Sequence, residues 1–129
     1  MILLDTHVLV WSQTRRKKLS RAADSAIRRA ARTGGLAISV ISAVEIAGLL
    51  KRGRIELHGG FESTINELLR DVAVKPITLD IAILTAEFPS DFPNDPADRI
   101  IAATARAENL PLITADKRIL GCPLLKTIW

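Results

Sequence analysis

The chain has 129 residues, of which 48% are hydrophobic and 25% charged, with a net charge of +4. This length and balance predict one globular domain spanning residues 1–129 and exclude a disordered or fibrous chain. With two tryptophans, three phenylalanines and no tyrosine, stacking on bases cannot dominate any nucleic-acid binding. Cys122 is the single cysteine, which excludes an internal disulfide and favours a reducing, cytoplasmic location. We expect neither a signal peptide nor a membrane span, since no apolar run is long enough.

The predicted elements alternate between strands and helices. In chain order, the first half is predicted to contain a strand at residues 2–4, a helix at 6–13, a helix after Ser20 that ends at Gly34, a strand at 36–40, a helix at 42–52 and a helix at about 61–70. The second half is predicted to contain a strand at 72–77, a helix at 78–88, a helix at 96–109, a strand at 110–114 and a candidate strand at 124–128. Pro76 marks the third strand as ending there or lying at an exposed edge. This alternation predicts βαβ units, and hence an α/β fold with a parallel sheet of about five strands.

Basic residues are concentrated in two segments. The first, opposed only by Asp24, contains Arg15, Arg16, Lys17, Lys18, Arg21, Arg28, Arg29 and Arg32. The second contains Lys51, Arg52 and Arg54. Such clusters form either a solvated surface or a face that attracts phosphates, and charge alone leaves both interpretations open.

Four acids from separate parts of the chain are predicted to meet at one edge of the sheet. Asp5 ends the first strand, Glu45 lies in the first turn of the helix after the second strand, Asp98 in the first turn of the helix before the fourth, and Asp116 just beyond that strand. Two like charges about 4 Å apart repel by about 4 kcal/mol at an effective dielectric of 20. Protonation or a bound cation must relieve this repulsion, and oxygen ligands suit Mg²⁺ or Mn²⁺.

Each acid also has a purely structural interpretation. Ser42-x-x-Glu45 fits a capping box, and Asp95-Pro96 fits a helix start with Asp95 as N-cap and Asp98 favoured by the helix dipole. Asp116 could start a turn. His7 is interpreted as a polar residue at a helix start, and Trp11 and Trp129 as packing residues.

Four stretches together resemble the PIN-domain ribonucleases, and among them the VapC-type toxins of toxin–antitoxin pairs. They are Asp5-Thr6-His7-Val8-Leu9-Val10-Trp11, Val44-Glu45-Ile46, the segment from Asp95 to Ala105, and Leu112-Ile113-Thr114-Ala115-Asp116. The resemblance covers nearly the whole chain. It implies a three-layer α/β/α fold, Mg²⁺- or Mn²⁺-dependent endonucleolytic cleavage of RNA, a homodimer, and a cognate antitoxin that places a cationic side chain in the acidic pocket.

Carried over residue by residue, the resemblance implies roles for the acids. Asp5 and Asp98 would be the main metal ligands, and Glu45 and Asp116 would complete the cluster through metal or water. Thr6, Thr114 and Asp95 would be supporting polar groups. With an RNA substrate, Arg15, Arg16, Lys17 and Lys18 become candidates for guiding the RNA backbone.

Two other functions remain open. A phosphatase of the haloacid dehalogenase type also begins with a strand-end Asp, but it has a second Asp where this chain has His7. A non-catalytic receiver-like or RNA-binding module would use Asp5 with Thr114 and Lys117, and it gives no reason for Glu45 to join the acids. Metal-dependent loss of a labelled RNA, against phosphate release from a small phosphoester, distinguishes these functions.

Overall fold

A five-stranded sheet lies at the centre of the computed structural model, which describes residues 1–129. The strands are β1 (Ile2–Leu4), β2 (Leu36–Ser39), β3 (Val72–Lys75), β4 (Leu112–Ile113) and β5 (Thr127–Ile128). They lie in the order β3-β2-β1-β4-β5, and each neighbouring pair is parallel. β1 is therefore the central strand, and the residues that follow β1, β2 and β4 lie at one edge of the sheet.

Seven α-helices connect and cover these strands. They are α1 (Thr6–Thr14), α2 (Arg21–Arg32), α3 (Val40–Lys51), α4 (Phe61–Leu68), α5 (Leu79–Leu84), α6 (Pro96–Ala107) and α7 (Lys117–Leu120). Short 3₁₀ turns lie at Arg16–Lys18 and Thr85–Glu87. None of the helices is both long enough and apolar enough to cross a membrane.

The core consists of two hydrophobic clusters, one on each face of the sheet. Because side chains alternate along a strand, Leu4 of β1 lies in the cluster covered by α1 to α4, and Leu3 lies in the cluster covered by α5 to α7. β4 divides in the same way, with Ile113 on the first face and Leu112 on the second. The predicted α/β fold and its three-layer arrangement are confirmed.

Most predicted elements are present, and the differences fall at their ends. α3 begins at Val40, two residues before the predicted start, because the Ser39 hydroxyl accepts a hydrogen bond from the backbone N–H of Ile41 at 3.2 Å. Ser39, not Ser42, is therefore the N-cap. β5 contains only Thr127–Ile128 of the predicted 124–128 strand. β3 ends before Pro76 and is an edge strand, as predicted.

We predict that Ser20→Ala lowers the free energy of unfolding by about 1 kcal/mol, the usual cost of losing an N-cap. The Ser20 hydroxyl accepts from the backbone N–H of Ala23 at 3.0 Å at the start of α2. Ser25 supplies a matched control, since it is exposed within the same helix and alanine has the higher helix propensity there. Urea denaturation should show Ser20→Ala destabilised and Ser25→Ala unchanged or stabilised. Equal shifts for the two variants would contradict the capping role.

Candidate active site

Asp5 is a buried carboxylate at the end of the central strand. It is only 4% exposed. Its Oδ1 accepts from the backbone N–H of Thr6 at 2.8 Å, and its Oδ2 accepts from the hydroxyl of Thr114 at 2.7 Å. The first bond makes Asp5 the N-cap of α1, a structural role that the sequence analysis missed. Pairing of β1 with β4 brings Thr114 to Asp5, so that this desolvated carboxylate has the donors that burial requires.

Glu45 is connected to Asp5 through Thr6. The Thr6 hydroxyl lies 2.5 Å from Oε1 of Glu45 and 2.9 Å from Oγ of Ser42. Since a threonine hydroxyl has one proton, Thr6 donates to Glu45, and the Ser42 hydroxyl is left to donate to Thr6. Ser42 is fully buried and takes part in this network instead of capping α3.

The expected position of Glu45 in the first turn of its helix is wrong. α3 begins at Val40, so Glu45 is its sixth residue, and the capping-box interpretation of Ser42 and Glu45 is also wrong. Burial is the largest cause that raises the pKa of the Glu45 carboxyl. The hydrogen bond from Thr6 lowers this pKa, and the charges of Asp5 and Asp95 raise it further. With no helix end to cap, this acid faces other acids in a partly buried position.

Asp98 experiences the charge of every other acid at this edge. Burial is the largest cause that raises its pKa to about 6, and the carboxylates of Asp5, Asp95, Asp116 and Glu45 raise it further. Asp98 lies in the first turn of α6, as predicted. Asp95 is the N-cap of α6, also as predicted, because its Oδ1 accepts from the backbone N–H of Ala97 at 2.8 Å.

Asp116 is held by a cation that the sequence analysis did not consider. It caps α7 by accepting from the backbone N–H of Arg118 at 2.9 Å. The Arg118 guanidinium also contacts both carboxylate oxygens, at 3.2 Å and 2.9 Å, and this hydrogen bonding lowers the pKa of Asp116. The Asp-x-Arg spacing was the available signal. Asp116 differs from Asp98 and Glu45 in having its charge compensated within the chain.

His7 connects the segment after β4 to the acidic edge. Its Nε2 accepts from the backbone N–H of Ala115 at 3.2 Å, and its Nδ1 lies 3.6 Å from Oδ2 of Asp5. The imidazole also contacts the ring of Trp11 edge-on, with 4.8 Å between centroids. The sequence gives no signal for the bond to Ala115, which joins residues 108 positions apart.

The first four residues of the basic segment differ in their surroundings, although all are exposed. Arg16 forms an ion pair with Asp24 at 2.7 Å. Lys18 places its Nζ 5.1 Å from the centre of the Trp11 ring. Arg15 lines an open groove that begins at His7. Lys17 forms no ion pair.

The donors at this edge fit a hard divalent cation in their chemistry. Asp5, Glu45, Asp98 and Asp116 all offer carboxylate oxygens, the ligands preferred by Mg²⁺ and Mn²⁺. Burial, with a smaller contribution from neighbouring carboxylates, raises the pKa values of Glu45 and Asp98, and a bound cation would offset this cost of ionisation. No three Asp, Glu, His or Cys side chains are already grouped closely enough to hold a metal ion. The fit therefore lies in the donor type and the local charge.

Residues 2–121 match the family model for the PIN domain. The chain belongs to the PIN-domain family. It is 38% identical over 130 aligned positions to the ribonuclease VapC22 of Mycobacterium tuberculosis, with 99% of this chain and 98% of that protein covered. The family resemblance drawn from the sequence motifs is confirmed, and this PIN-domain chain is a VapC homologue.

Solved structures of toxin–antitoxin proteins share the fold. A VapBC2 structure from Rickettsia felis, bound to a DNA fragment of its promoter, superposes with a TM-score of 0.75 at 19% identity, covering 98% of this chain and 97% of that one. A toxin–antitoxin complex from Klebsiella pneumoniae gives a TM-score of 0.69 at 25% identity, covering 97% and 95%. The FitAcB structure from Neisseria gonorrhoeae gives 0.70 at 20% identity, covering 98% and 96%.

We predict that Asp98→Asn stabilises the protein without metal above about pH 6. A carboxyl whose folded pKa is about 6, above its ordinary 3.8, makes the fold less stable as pH rises between these values. The amide cannot ionise, so the variant escapes this loss. Allowing for solvent screening, we expect a gain of about 1 kcal/mol.

Urea denaturation at several pH values in EDTA measures this effect. Asp91→Asn is the control, because Asp91 is exposed and is not among the charges that act on Asp98. The advantage of Asp98→Asn should shrink as pH falls from about 6 to the ordinary carboxyl value of 3.8, and it should be absent below that value. A pH-independent difference, or a loss of stability at neutral pH, would show that the folded protein does not disfavour ionisation of Asp98.

Proposed function

We propose that this chain is a Mg²⁺- or Mn²⁺-dependent endoribonuclease and the toxin of a toxin–antitoxin pair. The observation that carries the proposal is the position of these acids at the carboxyl edge of the sheet, where burial and the charges of the neighbouring carboxylates raise the pKa of Asp98 to about 6. The 38% identity to ribonuclease VapC22 supports RNA as the substrate. Ligands bind at this edge in open α/β sheets.

In this proposal, Asp5 and Asp98 are the principal metal ligands, and Glu45 and Asp116 complete the cluster. A bound Mg²⁺ or Mn²⁺ would polarise the scissile phosphate and lower the pKa of the attacking water. Thr114 fixes one oxygen of Asp5 through its hydroxyl, and the N–H of Thr6 fixes the other. Both bonds orient a carboxylate that is already desolvated and needs no rearrangement.

The remaining polar groups position the acids. The Thr6 hydroxyl directs Oε1 of Glu45, and Asp95 fixes the start of the helix that carries Asp98. Arg118 holds both oxygens of Asp116, so we propose that Asp116 acts through water and through its charge. Asp98 must be deprotonated to bind a cation, and we therefore expect activity to rise with pH through about 6.

We further propose that residues 1–129 form a single domain and act in the cytoplasm as a homodimer with a cognate antitoxin. Both hydrophobic clusters share one sheet, which supports the single domain. A dimer is supported by exposed apolar side chains on α5, where Leu79 is 76% and Ile83 56% exposed. The VapBC neighbours are structures of toxin–antitoxin systems, and an antitoxin that inserts a cation would relieve the same repulsion as a metal.

The decisive experiment is cleavage of a labelled RNA with Mn²⁺, with EDTA, and with a small phosphoester as the competing substrate. We predict that Asp5→Asn abolishes Mn²⁺-dependent RNA cleavage and leaves the fold intact. The amide oxygen can still accept from the N–H of Thr6, whereas the negative charge is lost. Asp91→Asn, an exposed acid outside the cluster, should remain active.

Circular dichroism establishes that each variant is folded. Full Mn²⁺-stimulated cleavage by folded Asp5→Asn protein would overturn the assignment of the site. Phosphate release from the small phosphoester without RNA cleavage would identify a phosphatase. Metal binding with neither reaction would favour the non-catalytic module.

A second substitution separates catalysis from structure at Glu45. We predict that Glu45→Gln weakens Mn²⁺ binding and cleavage by at least about tenfold, with a change in stability below about 1 kcal/mol. The amide retains an oxygen that can accept from Thr6, so the local network can persist without the charge. Isothermal titration with Mn²⁺ and urea denaturation measure the two effects. Unchanged metal affinity and turnover would remove Glu45 from the site.

A further inference from the structure

One groove connects the acidic edge to both basic segments of the chain. It has a volume of about 1010 Å³ and lies between α1, the end of α3, the connection after α3, and α4. Its lining includes His7 at one end and Trp11 along one side. The segments from Arg15 to Arg32 and from Lys51 to Arg54 are separate in sequence, yet Arg15 and Arg54 both line this groove.

The two arginines are fixed at the backbone and exposed at the side chain. Arg15 follows α1, and its N–H donates to the carbonyl of Trp11 at 2.9 Å. Arg54 follows α3, and its N–H donates to the carbonyl of Leu49 at 2.9 Å. The chain can turn back to form this bond because Gly53 adopts a φ of 71°. Ile55 is buried and anchors the next residue. Neither arginine forms an ion pair within the chain.

The charge at the groove favours a polyanion. Glu67 is paired with Arg70, which leaves Glu56 as the lining acid without an ion pair. Lys17, Lys18, Lys51 and Arg52 are exposed and lie within three residues of Arg15 or Arg54 in the sequence, so they add positive charge near these two segments. At the other end, His7 contacts the carboxylate of Asp5. Arg15 directly follows α1. At a rise of about 1.5 Å per residue, a phosphodiester chain that follows this helix from the acidic edge would reach the positive charge of Arg15 about 12 Å beyond His7.

We propose that this groove holds the single-stranded RNA next to the cleavage site, with Arg15 and Arg54 contacting backbone phosphates from its two sides. The inference rests on the proposed ribonuclease function and deepens it by naming the path of the substrate. Trp11 is half-buried and lies between the acidic edge and Arg15, where its exposed part contacts the RNA chain. Arg16, paired with Asp24, lies outside this path.

The test uses a fluorescein-labelled oligouridine and the full chain in EDTA, so that binding is measured without cleavage. Anisotropy titrations at several KCl concentrations give the affinity and its salt slope. Arg15→Ser and Arg54→Ser should each weaken binding about fivefold at low salt and reduce the slope by about 0.7, the value for one phosphate contact on a single strand. Glu56→Gln should have the opposite effect and tighten binding, because it removes a repulsive charge.

Arg29→Ser is the matched control. Arg29 is exposed on α2 and does not line the groove. Its replacement by serine removes the same charge as the other two substitutions. The RNA affinity and salt slope of this variant should equal those of the unmodified protein. In Mn²⁺ cleavage assays, Arg54→Ser should raise KM and leave kcat unchanged, since it removes binding that is equal in the ground and transition states.

Equal behaviour of Arg54→Ser and Arg29→Ser would overturn the proposal. So would unchanged RNA slopes combined with weaker binding of the cognate antitoxin, because the groove would then belong to the protein partner. The two proposals fail separately. Absence of Mn²⁺-dependent cleavage by the unmodified protein overturns the ribonuclease function, whereas cleavage with unchanged salt slopes in both arginine variants overturns only the groove.

Discussion

The burial of one carboxylate, Asp5, imposes the constraint on which the rest of the site depends. A charge that is 4% exposed must find donors, and these come from two different elements, the N–H of Thr6 in α1 and the hydroxyl of Thr114 beyond β4. The pairing of β1 with β4 supplies the second donor. The sheet topology and the chemistry of the site are therefore linked, because the protein's own hydrogen-bond donors replace water around a carboxylate at the end of the central strand.

The other acids divide according to how their charge is compensated. Arg118 compensates Asp116 and lowers its pKa, whereas Glu45 and Asp98 have raised pKa values because burial and neighbouring carboxylates oppose ionisation. The site thus carries uncompensated negative charge on its inner acids and compensated charge at its rim. In the proposed function, this arrangement attracts a cation to one place, whether a metal ion or a cationic side chain of a partner, and the basic residues along the groove offset the repulsion of an RNA backbone from it.

Local sequence signals were reliable where a single residue fixes the start of a helix or the end of a strand. Ser20 at the start of α2, Asp95 before Pro96, and Pro76 at the end of the edge strand all act as predicted. They failed where two residues compete for the same local role. Ser39 and Ser42 could each cap α3, and the sequence favoured Ser42 because Glu45 follows at the capping-box spacing. Ser39 caps the helix by accepting from the backbone N–H of Ile41, whereas the Ser42 hydroxyl is bonded to Thr6.

The sequence by itself determined the alternation of strands and helices and the family, and it predicted that Asp5, Glu45, Asp98 and Asp116 lie at one edge, since parallel strands must end on the same side. Only the tertiary structure decided which carboxylates remain uncompensated, because Thr114 reaches Asp5 across 109 positions of the chain, and the burial of Glu45 and Asp98 depends on how their helices pack. It also decided that His7 bonds to Ala115 and that Arg15 and Arg54 line one groove. Contacts between residues far apart in the chain depend on how the helices pack on the sheet, and local propensity carries no information about that packing.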